Sequence, residues 1–265
     1  MKFSILDINK LKKNKIPIVA ITAYDFISSQ IINELEFPII LVGDSASNVV
    51  YGYSDTLPIS IDEMLLIVRA VSRASNTSLV VADMPFMSYQ PSIGEAITNA
   101  GAFIKRGGAD AIKLEGGLVY EKHIREIVQS GIPVMGHIGL MPQSIKKMGK
   151  YKIQGKTQDS ADKILKDAVA VERAGAFSVV LEGVPSSLAK KITSELSIPT
   201  IGIGAGLDCS GQIQVFHDVL GLYKNFIPKH SKVFSDVRSI MVKGLKNYQN
   251  SVLKKTFPNK KNENL

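Results

Sequence analysis

Short apolar runs recur along the chain and alternate with longer stretches that carry apolar residues at helical spacing. The short runs have the length of buried strands, and glycine or proline punctuates many of them. Several of the longer stretches begin at a serine with a glutamate three residues later, as at Ser60 and Ser92, which is the pattern of a helix N-terminus. The pattern predicts strands at 16–23, 38–42, 78–82, 111–115, 132–135, 177–181 and 198–202, and a weaker one at 213–216.

Eight strands that mostly alternate with helices predict a parallel sheet. At 265 residues, the chain fits an α/β fold of the (β/α)8 TIM-barrel type, preceded by a short N-terminal helix at 4–13. The alternative, a doubly wound open sheet, would be expected to carry a glycine-rich fingerprint after its first strand, and Tyr24-Asp25-Phe26 does not resemble one. We predict one barrel domain over 1–256, with a last helix at 235–253 and a disordered Lys/Asn-rich tail at 257–265.

The composition narrows the range of functions. The formal net charge is +8, but much of the excess lies near the two ends of the chain, there is no Trp, and no basic stripe is interleaved with aromatic residues. We therefore favour solvated surface charge over a nucleic-acid-binding face. Cys209 is the only cysteine, which excludes a disulfide framework and a cysteine zinc site. Because no apolar run has the length of a signal peptide or a membrane span, we expect a soluble cytoplasmic protein without a membrane partner.

The predicted strand at 111–115 carries two opposite charges on one face. Side chains alternate along a strand, so Ile112 and Leu114 face one way, whereas Lys113 and Glu115 face the other. Burying both charges is costly unless they are paired, which indicates either a structural salt bridge or a polar site. In a parallel barrel, functional side chains lie at the carboxyl ends of the strands. Other predicted strands also end in polar residues: Asp25, Asp44 with Ser45, Asp83, His137, Glu182, and His217 with Asp218.

Carboxylates that converge at one end of a barrel repel one another, and a cation relieves that repulsion. Asp44, Asp83 and Glu115 follow or end the second, third and fourth strands, which are neighbours, so these side chains can meet. Oxygen ligands suit Mg²⁺, Mn²⁺ or Ca²⁺. A divalent ion beside Lys113 would suit an anionic oxo-acid, and the ion could stabilise an enolate as a Lewis acid. Glu182 follows an apolar run and is a candidate general base, with His137 as the alternative.

The residues at these strand ends resemble those of the ketopantoate hydroxymethyltransferase family. The matching segments include Leu-Val-Gly-Asp-Ser at 41–45, Ala-Asp-Met-Pro-Phe at 82–86, Ile-Lys-Leu-Glu-Gly at 112–116, Gly-His-Ile-Gly-Leu-Met-Pro-Gln at 136–143 and Leu-Glu-Gly-Val-Pro at 181–185. The resemblance implies transfer of a hydroxymethyl group from 5,10-methylenetetrahydrofolate to 3-methyl-2-oxobutanoate, with Mg²⁺ as cofactor. The product would be 2-dehydropantoate, in pantothenate biosynthesis. The resemblance also implies a homodecamer.

The resemblance assigns roles to individual residues. Asp44, Asp83 and Glu115 would bind the metal, and Glu182 would accept the proton. Ser45, Asp83 and Lys113 would contact the oxo-acid, and we add His137 to these substrate-binding residues. The sequence departs from the family pattern at Ser54-Asp55, Lys150 and Ser210, which lie in loops and leave the proposed metal and base positions intact.

Two other functions compete with this interpretation. A related metal-dependent lyase or mutase would be expected to carry a reactive cysteine in its catalytic loop, and no cysteine follows the fifth strand. A non-catalytic oligomeric scaffold would have no use for converged carboxylates. The glycines at 202–206 could form a phosphate-binding loop, but their spacing favours a tight turn that gives room to the substrate.

Overall fold

The computed structural model describes residues 2–223, 228–259 and 262. It divides into two compact units, one running to Val215 and the other beginning at Phe216. The first unit holds a closed barrel of eight parallel strands, which confirms the predicted (β/α)8 fold. The predicted disordered tail at 257–265 falls partly on residues outside the described ranges.

Each strand of the barrel pairs in parallel with the next along the chain, and the eighth pairs with the first. Helices lie in the connections between the first seven strands, whereas the segment between the seventh and eighth strands, all of it described, contains none. The strands are β1 (Ile18–Thr22), β2 (Ile39–Val42), β3 (Leu79–Asp83), β4 (Ala111–Glu115), β5 (Val134–Gly139), β6 (Ser178–Glu182), β7 (Thr200–Ile203) and β8 (Gly211–Gln214).

Apolar side chains from alternate positions of all eight strands fill the barrel interior. In β3 the buried cluster includes Leu79 and Val81, and the next residue on the same face of the strand is Asp83. In β4 the cluster includes Ala111, and Lys113 and Glu115 lie on the same face of that strand. In these two strands the inward face therefore changes from apolar to ionisable toward the carboxyl end.

Helices of the first unit connect the strands, and several begin with the predicted caps. Ser60 and Glu63 form a reciprocal capping box, as predicted. At Ser92 only half of that motif is present, because the serine accepts from the Glu95 backbone N–H without a return bond. The helices are α1 (Ile5–Lys13), α2 (Phe26–Glu34), α3 (Ala46–Val49), α4 (Ile61–Ala74), α5 (Ile93–Ala102), α6 (Glu121–Gln129), α7 (Ile145–Met148), α8 (Gln158–Arg173) and α9 (Ser186–Glu195).

Two strands differ from the prediction in ways that affect the site. β5 runs on to Gly139, so His137 lies within the strand rather than after it. β8 is Gly211–Gln214 instead of 213–216, because its backbone pairs with β1 from Ile18 onward, and Phe216 begins a helix. The prediction placed this strand too late in the chain because the residues near Phe216 are apolar. The observed strand carries glutamines at alternate positions and is therefore less hydrophobic.

The second unit contains two helices within its described residues, α10 (Phe216–Val219) and α11 (Val237–Leu253). Asp236 caps α11 by accepting a hydrogen bond from the Ser239 backbone N–H. His217 and Asp218 lie on α10 and are not residues of a strand. Over the described part of the chain, no helix combines the length and hydropathy needed to cross a membrane.

Candidate active site

The barrel register brings ionisable side chains from adjacent strands to the same level. Asp83 of β3 is paired in register with Lys113 of β4, and Glu115 of β4 with His137 of β5. Glu182 of β6 is in register with Gly139, two residues beyond His137. These five side chains thus share the carboxyl-terminal end of the barrel, as the sequence predicts.

Lys113 and Asp83 form a buried ion pair. The Lys113 Nζ lies 2.8 Å from Asp83 Oδ1, and the backbone N–H of Asp44 donates to Asp83 Oδ2 at 3.2 Å. Burial raises the pKa of Asp83 to about 7, although the Lys113 ammonium opposes this shift. Burial also acts to lower the pKa of Lys113, but the carboxylates of Asp83, Asp44 and Glu115 outweigh it, so that pKa lies above its ordinary value. Lys113 therefore keeps its positive charge inside the barrel.

His137 lies between Lys113 and two glutamates. Its Nδ1 is 3.3 Å from Lys113 Nζ and 3.5 Å from Glu115 Oε1, and its Nε2 is 3.3 Å from Glu182 Oε2. Burial and the nearby Lys113 ammonium lower the pKa of His137, which favours the neutral ring. Because an ammonium can only donate, Nδ1 of the neutral ring accepts from Lys113, which leaves the ring hydrogen on Nε2. This nitrogen is buried and forms no hydrogen bond among the described residues, although it lies near Glu182 Oε2.

The two glutamates differ in exposure. The side chain of Glu115 is 2% exposed, whereas that of Glu182 is 15% exposed. Burial raises the pKa of Glu115 well above its ordinary value; Lys113 opposes this shift, and the charges of Asp44 and Asp83 add to it. Glu182 is thus the carboxylate of this pair that a small molecule entering the barrel can reach.

The structure adds residues that the sequence interpretation did not assign to the site. Gln143, in the turn Pro142–Ser144 after β5, donates from its backbone N–H to Glu115 Oε2 at 3.0 Å and from its side chain to Asp44 Oδ2 at 3.1 Å. The Tyr89 hydroxyl donates to the Glu115 carbonyl oxygen at 2.9 Å. Gln143 ends one of the motifs that carry the family resemblance, whereas Tyr89 has no sequence signal beyond its place in the loop after β3.

Ser45 also lies in this region of the barrel, directly after β2 and Asp44. Its hydroxyl is 2.8 Å from the Tyr24 hydroxyl, at the end of β1. The polar residues that follow β1 and β2 are therefore joined by a side-chain contact.

Asp25, which follows β1, has a different role. Asp25 caps α2 by accepting from the Ser28 backbone N–H at 2.8 Å, so it is a structural cap. The segment 202–206 contains a close approach, because a Cβ at Gly206 would meet Ser186 Cβ at 2.5 Å. Gly204 and Gly206 adopt φ values of 61° and 85°, which are typical of turns, and the room for substrate that we expected there stays a prediction.

The residues predicted to bind a metal lie close together without forming a complete coordination sphere. Among the described residues, no three His, Cys, Asp or Glu side chains converge closely enough to hold an ion directly. Gln143 lies between Asp44 and Glu115, and Lys113 is paired with Asp83. Glu115 Oε1 is buried and accepts no hydrogen bond within the described ranges. The metal assignment therefore stays a prediction.

A (β/α)8 barrel with buried carboxylates, a lysine and a histidine at the carboxyl ends of its strands has the architecture of a barrel enzyme. The sequence model of the ketopantoate hydroxymethyltransferase family matches residues 2–260. The chain belongs to this family of transferases, and the resemblance seen in its motifs is confirmed.

Curated relatives match over nearly the whole chain. The 3-methyl-2-oxobutanoate hydroxymethyltransferase of Geobacter sulfurreducens is 51% identical over 255 residues, which cover 96% of each chain. The protein of that name from Pseudothermotoga lettingae is 49% identical over 259 residues, covering 97% of this chain and 98% of that protein.

Solved structures of more distant proteins share the fold. A phosphonopyruvate hydrolase in complex with oxalate and Mg²⁺ superposes with a TM-score of 0.66 at 12% identity, covering 98% of this chain and 93% of the other. A 2,3-dimethylmalate lyase, described as a member of the PEP mutase/isocitrate lyase superfamily, gives a TM-score of 0.59 at 17% identity, covering 80% and 78%. At these identities the likeness concerns the barrel alone.

Proposed function

We propose that the chain transfers a hydroxymethyl group from 5,10-methylenetetrahydrofolate to 3-methyl-2-oxobutanoate, giving 2-dehydropantoate in pantothenate biosynthesis. Family membership supports the class of reaction. The observation that carries the proposal is the convergence of Asp83, Lys113, Glu115, His137 and Glu182 at one end of the barrel. That arrangement offers oxygen ligands, a fixed positive charge and a reachable carboxylate.

Mg²⁺ fits the oxygen atoms present at this end of the barrel. The ion usually takes one or two protein carboxylates and fills its other positions with water and substrate oxygens. Asp44 and Asp83 would supply the carboxylates, and the unpartnered Glu115 Oε1 could accept from a water bound to the ion. When bound, Mg²⁺ would polarise the carbonyl of the oxo-acid as a Lewis acid.

Lys113 and Ser45 would hold the anionic substrate. The ammonium of Lys113 keeps its charge inside the barrel, and an anion there gains a strong interaction because the surroundings are poor in water. The Ser45 hydroxyl, in contact with Tyr24, can donate to a carboxylate oxygen. His137 lies beside both Lys113 and Glu182 and would complete the binding surface.

Glu182 would remove the proton from C3 of the oxo-acid, and the electron pair of that C–H bond would form the enolate. The enolate carbon then bonds to the one-carbon unit, both carbon–nitrogen bonds of the folate donor break, and one water supplies the hydroxyl oxygen. The proton removed from C3 and one proton of that water pass to the two folate nitrogens, which leave as tetrahydrofolate. The neutral His137, with its Nε2 facing Glu182, would hold the carboxylate in place for the proton transfer.

The test is deuterium exchange at C3 of 3-methyl-2-oxobutanoate in D₂O, monitored by NMR with and without Mg²⁺. We expect magnesium-dependent exchange, then formation of 2-dehydropantoate once methylenetetrahydrofolate is added. Exchange that is absent, or that is unaffected by chelation of the metal, would refute the proposed mechanism.

The variant Glu182→Gln separates binding from chemistry. The amide keeps the size of the side chain but cannot accept the proton, so exchange should fall by about 100-fold or more while magnesium-dependent oxo-acid binding remains. Exposed Glu195, on α9, gives a matched control as Glu195→Gln, which should leave exchange unchanged. If Glu182→Gln retains exchange and His137→Gln abolishes it, then His137 is the base.

Family membership also leads us to propose a homo-oligomer, with a decamer as the expected size. Light scattering coupled to gel filtration tests this directly, since a decamer has ten times the 28.8 kDa mass of the chain. A monomer at micromolar concentration would contradict the proposal.

A further inference from the structure

Gln143 contacts several elements of the site. It lies in the turn after β5 and is 4% exposed. Its side-chain N–H groups donate to Asp44 Oδ2 at 3.1 Å and to the Met84 carbonyl at 2.9 Å. Its backbone N–H donates to Glu115 Oε2 at 3.0 Å. One residue thus connects the segments that follow β2, β3 and β5 with the end of β4.

The orientation of the Gln143 amide is fixed by its other contacts. Its Oε1 accepts from Gln90 Nε2 at 3.4 Å and lies 3.1 Å from the oxygen of Tyr89, whose single hydroxyl hydrogen is shared between this Oε1 and the Glu115 carbonyl. Both hydrogens of Nε2 are already used, so rotation of the amide by 180° would place an oxygen against Asp44 and the Met84 carbonyl. The donor that faces Asp44 therefore cannot be exchanged for an acceptor without loss of several hydrogen bonds.

An amide at this position has an electrostatic consequence. It donates to Asp44 from its side chain and to Glu115 from its backbone, yet it carries no charge. A lysine or arginine in its place would cancel the negative charge that a cation needs. Gln143 can therefore hold two carboxylates in fixed positions and leave their charge available.

We propose that Gln143 is a positioning residue that orients Asp44 and Glu115 for a divalent cation. The proposal rests on the proposed function, because it concerns the same metal site. It adds that the turn after β5 contributes to cation affinity although Gln143 is not itself a ligand. Groups that orient metal ligands in this way typically change metal affinity by 10–100-fold when they are replaced.

The experiment is a titration of the purified full-length protein with Mn²⁺ in the absence of oxo-acid and folate. Electron paramagnetic resonance measures the free and bound Mn²⁺. Gln143→Leu removes the donor and shortens the side chain without adding charge. Gln143→Met keeps the approximate volume and removes the donor without adding charge. Gln154→Glu is the control, since the Gln154 side-chain amide donates to the Lys152 carbonyl in the exposed part of the same loop.

We expect the Kd for Mn²⁺ to rise about tenfold or more in both Gln143 variants and to stay unchanged in Gln154→Glu. Circular dichroism at the titration temperature identifies the variants that are folded. A side chain needed only for packing would lower the melting temperature of the metal-free protein and leave the Kd of the folded variant unchanged.

The outcomes distinguish this inference from the proposed function. If the wild type binds no Mn²⁺, the metal assignment of the proposed function fails, and the inference fails with it. If the wild type binds and a folded Gln143→Met variant binds equally well, only the inference is overturned. If both Gln143 variants lose the fold, the residue is required for folding, and the positioning proposal is likewise overturned.

Discussion

Replacing Gly139 with alanine should affect both the stability of the barrel and the position of Glu182. Gly139 ends β5 with a φ of 97°, which L side chains rarely adopt. A Cβ at this position would overlap the carbonyl oxygen of Glu182 and would lie 2.8 Å from Val184 Cγ1. The Glu182 carbonyl also accepts from the Leu140 backbone N–H at 2.8 Å. The β5–β6 junction can accommodate the new methyl group only if the backbone at Glu182 moves.

The expected cost has two parts. The left-handed backbone conformation costs a non-glycine residue roughly 1–2 kcal/mol. Overpacking against backbone and a buried side chain adds about 1–3 kcal/mol. Gly131 provides a matched control, because its φ is 84° and a Cβ there would have no atom within 4 Å. Gly131→Ala should therefore show only the first part, and the difference between the two variants isolates the close approach to Glu182.

Urea unfolding at one fixed protein concentration measures both variants, and the C3-exchange assay measures their activity. We expect Gly139→Ala to lose stability beyond the control and to exchange more slowly at a temperature where it is folded, whereas Gly131→Ala should exchange at the wild-type rate. Equal free energies of unfolding for the two variants would refute the argument, because the steric contact would then have no cost.

Two further variants test the electrostatics and hydrogen bonding of the site. The folded-state pKa of Asp83 is about 7, above its unfolded value near 3.8, so this group makes the free energy of unfolding fall as pH rises between these values. We therefore expect the free energy of unfolding of Asp83→Asn, measured with urea in metal-free buffer, to increase relative to that of the wild type from pH 4 to 7. A difference that does not change with pH would show that Asp83 does not titrate with a raised pKa in the folded protein. Tyr89→Phe should cost about 1–3 kcal/mol in the same assay, because the hydroxyl donates to the Glu115 carbonyl and accepts from the Glu115 backbone N–H, and both bonds are lost inside the protein. A loss below 0.5 kcal/mol would show that these bonds are replaced.

The ionisable residues of the candidate site were predictable because they lie on strands. In β4 the alternation of Ala111, Lys113 and Glu115 with apolar neighbours is visible in the sequence, and strand periodicity fixes which side chains share a face. The parallel order of the strands then determines that the ends of β3, β4 and β5 meet. Local pattern and topology together account for the contact between Lys113 and Asp83.

Residues contributed by loops were not predictable in the same way. Asp25 follows a strand, as the site residues do, but its carboxylate accepts a hydrogen bond from the Ser28 backbone N–H and caps a helix. Tyr89 and Gln143 reach Glu115 because their loops fold back over the barrel, and no periodic pattern encodes that path. The bounds of β8 were also wrong, since pairing with β1 rather than intrinsic preference decides where that strand begins.

The alternation of inward and outward side chains along β4 restricts which insertions and deletions this strand can tolerate. Insertion or deletion of one codon within Ala111–Glu115 would exchange the two faces of the strand: Ile112 and Leu114 would point into the barrel, and the two charges would point toward the surrounding helices. The lysine and the glutamate stay on the inward face only if an even number of residues is inserted or deleted, or if the change lies outside the strand. Reading-frame-preserving indels should therefore be tolerated far better in surface connections, such as the exposed stretch around Gly149, than in this five-residue strand.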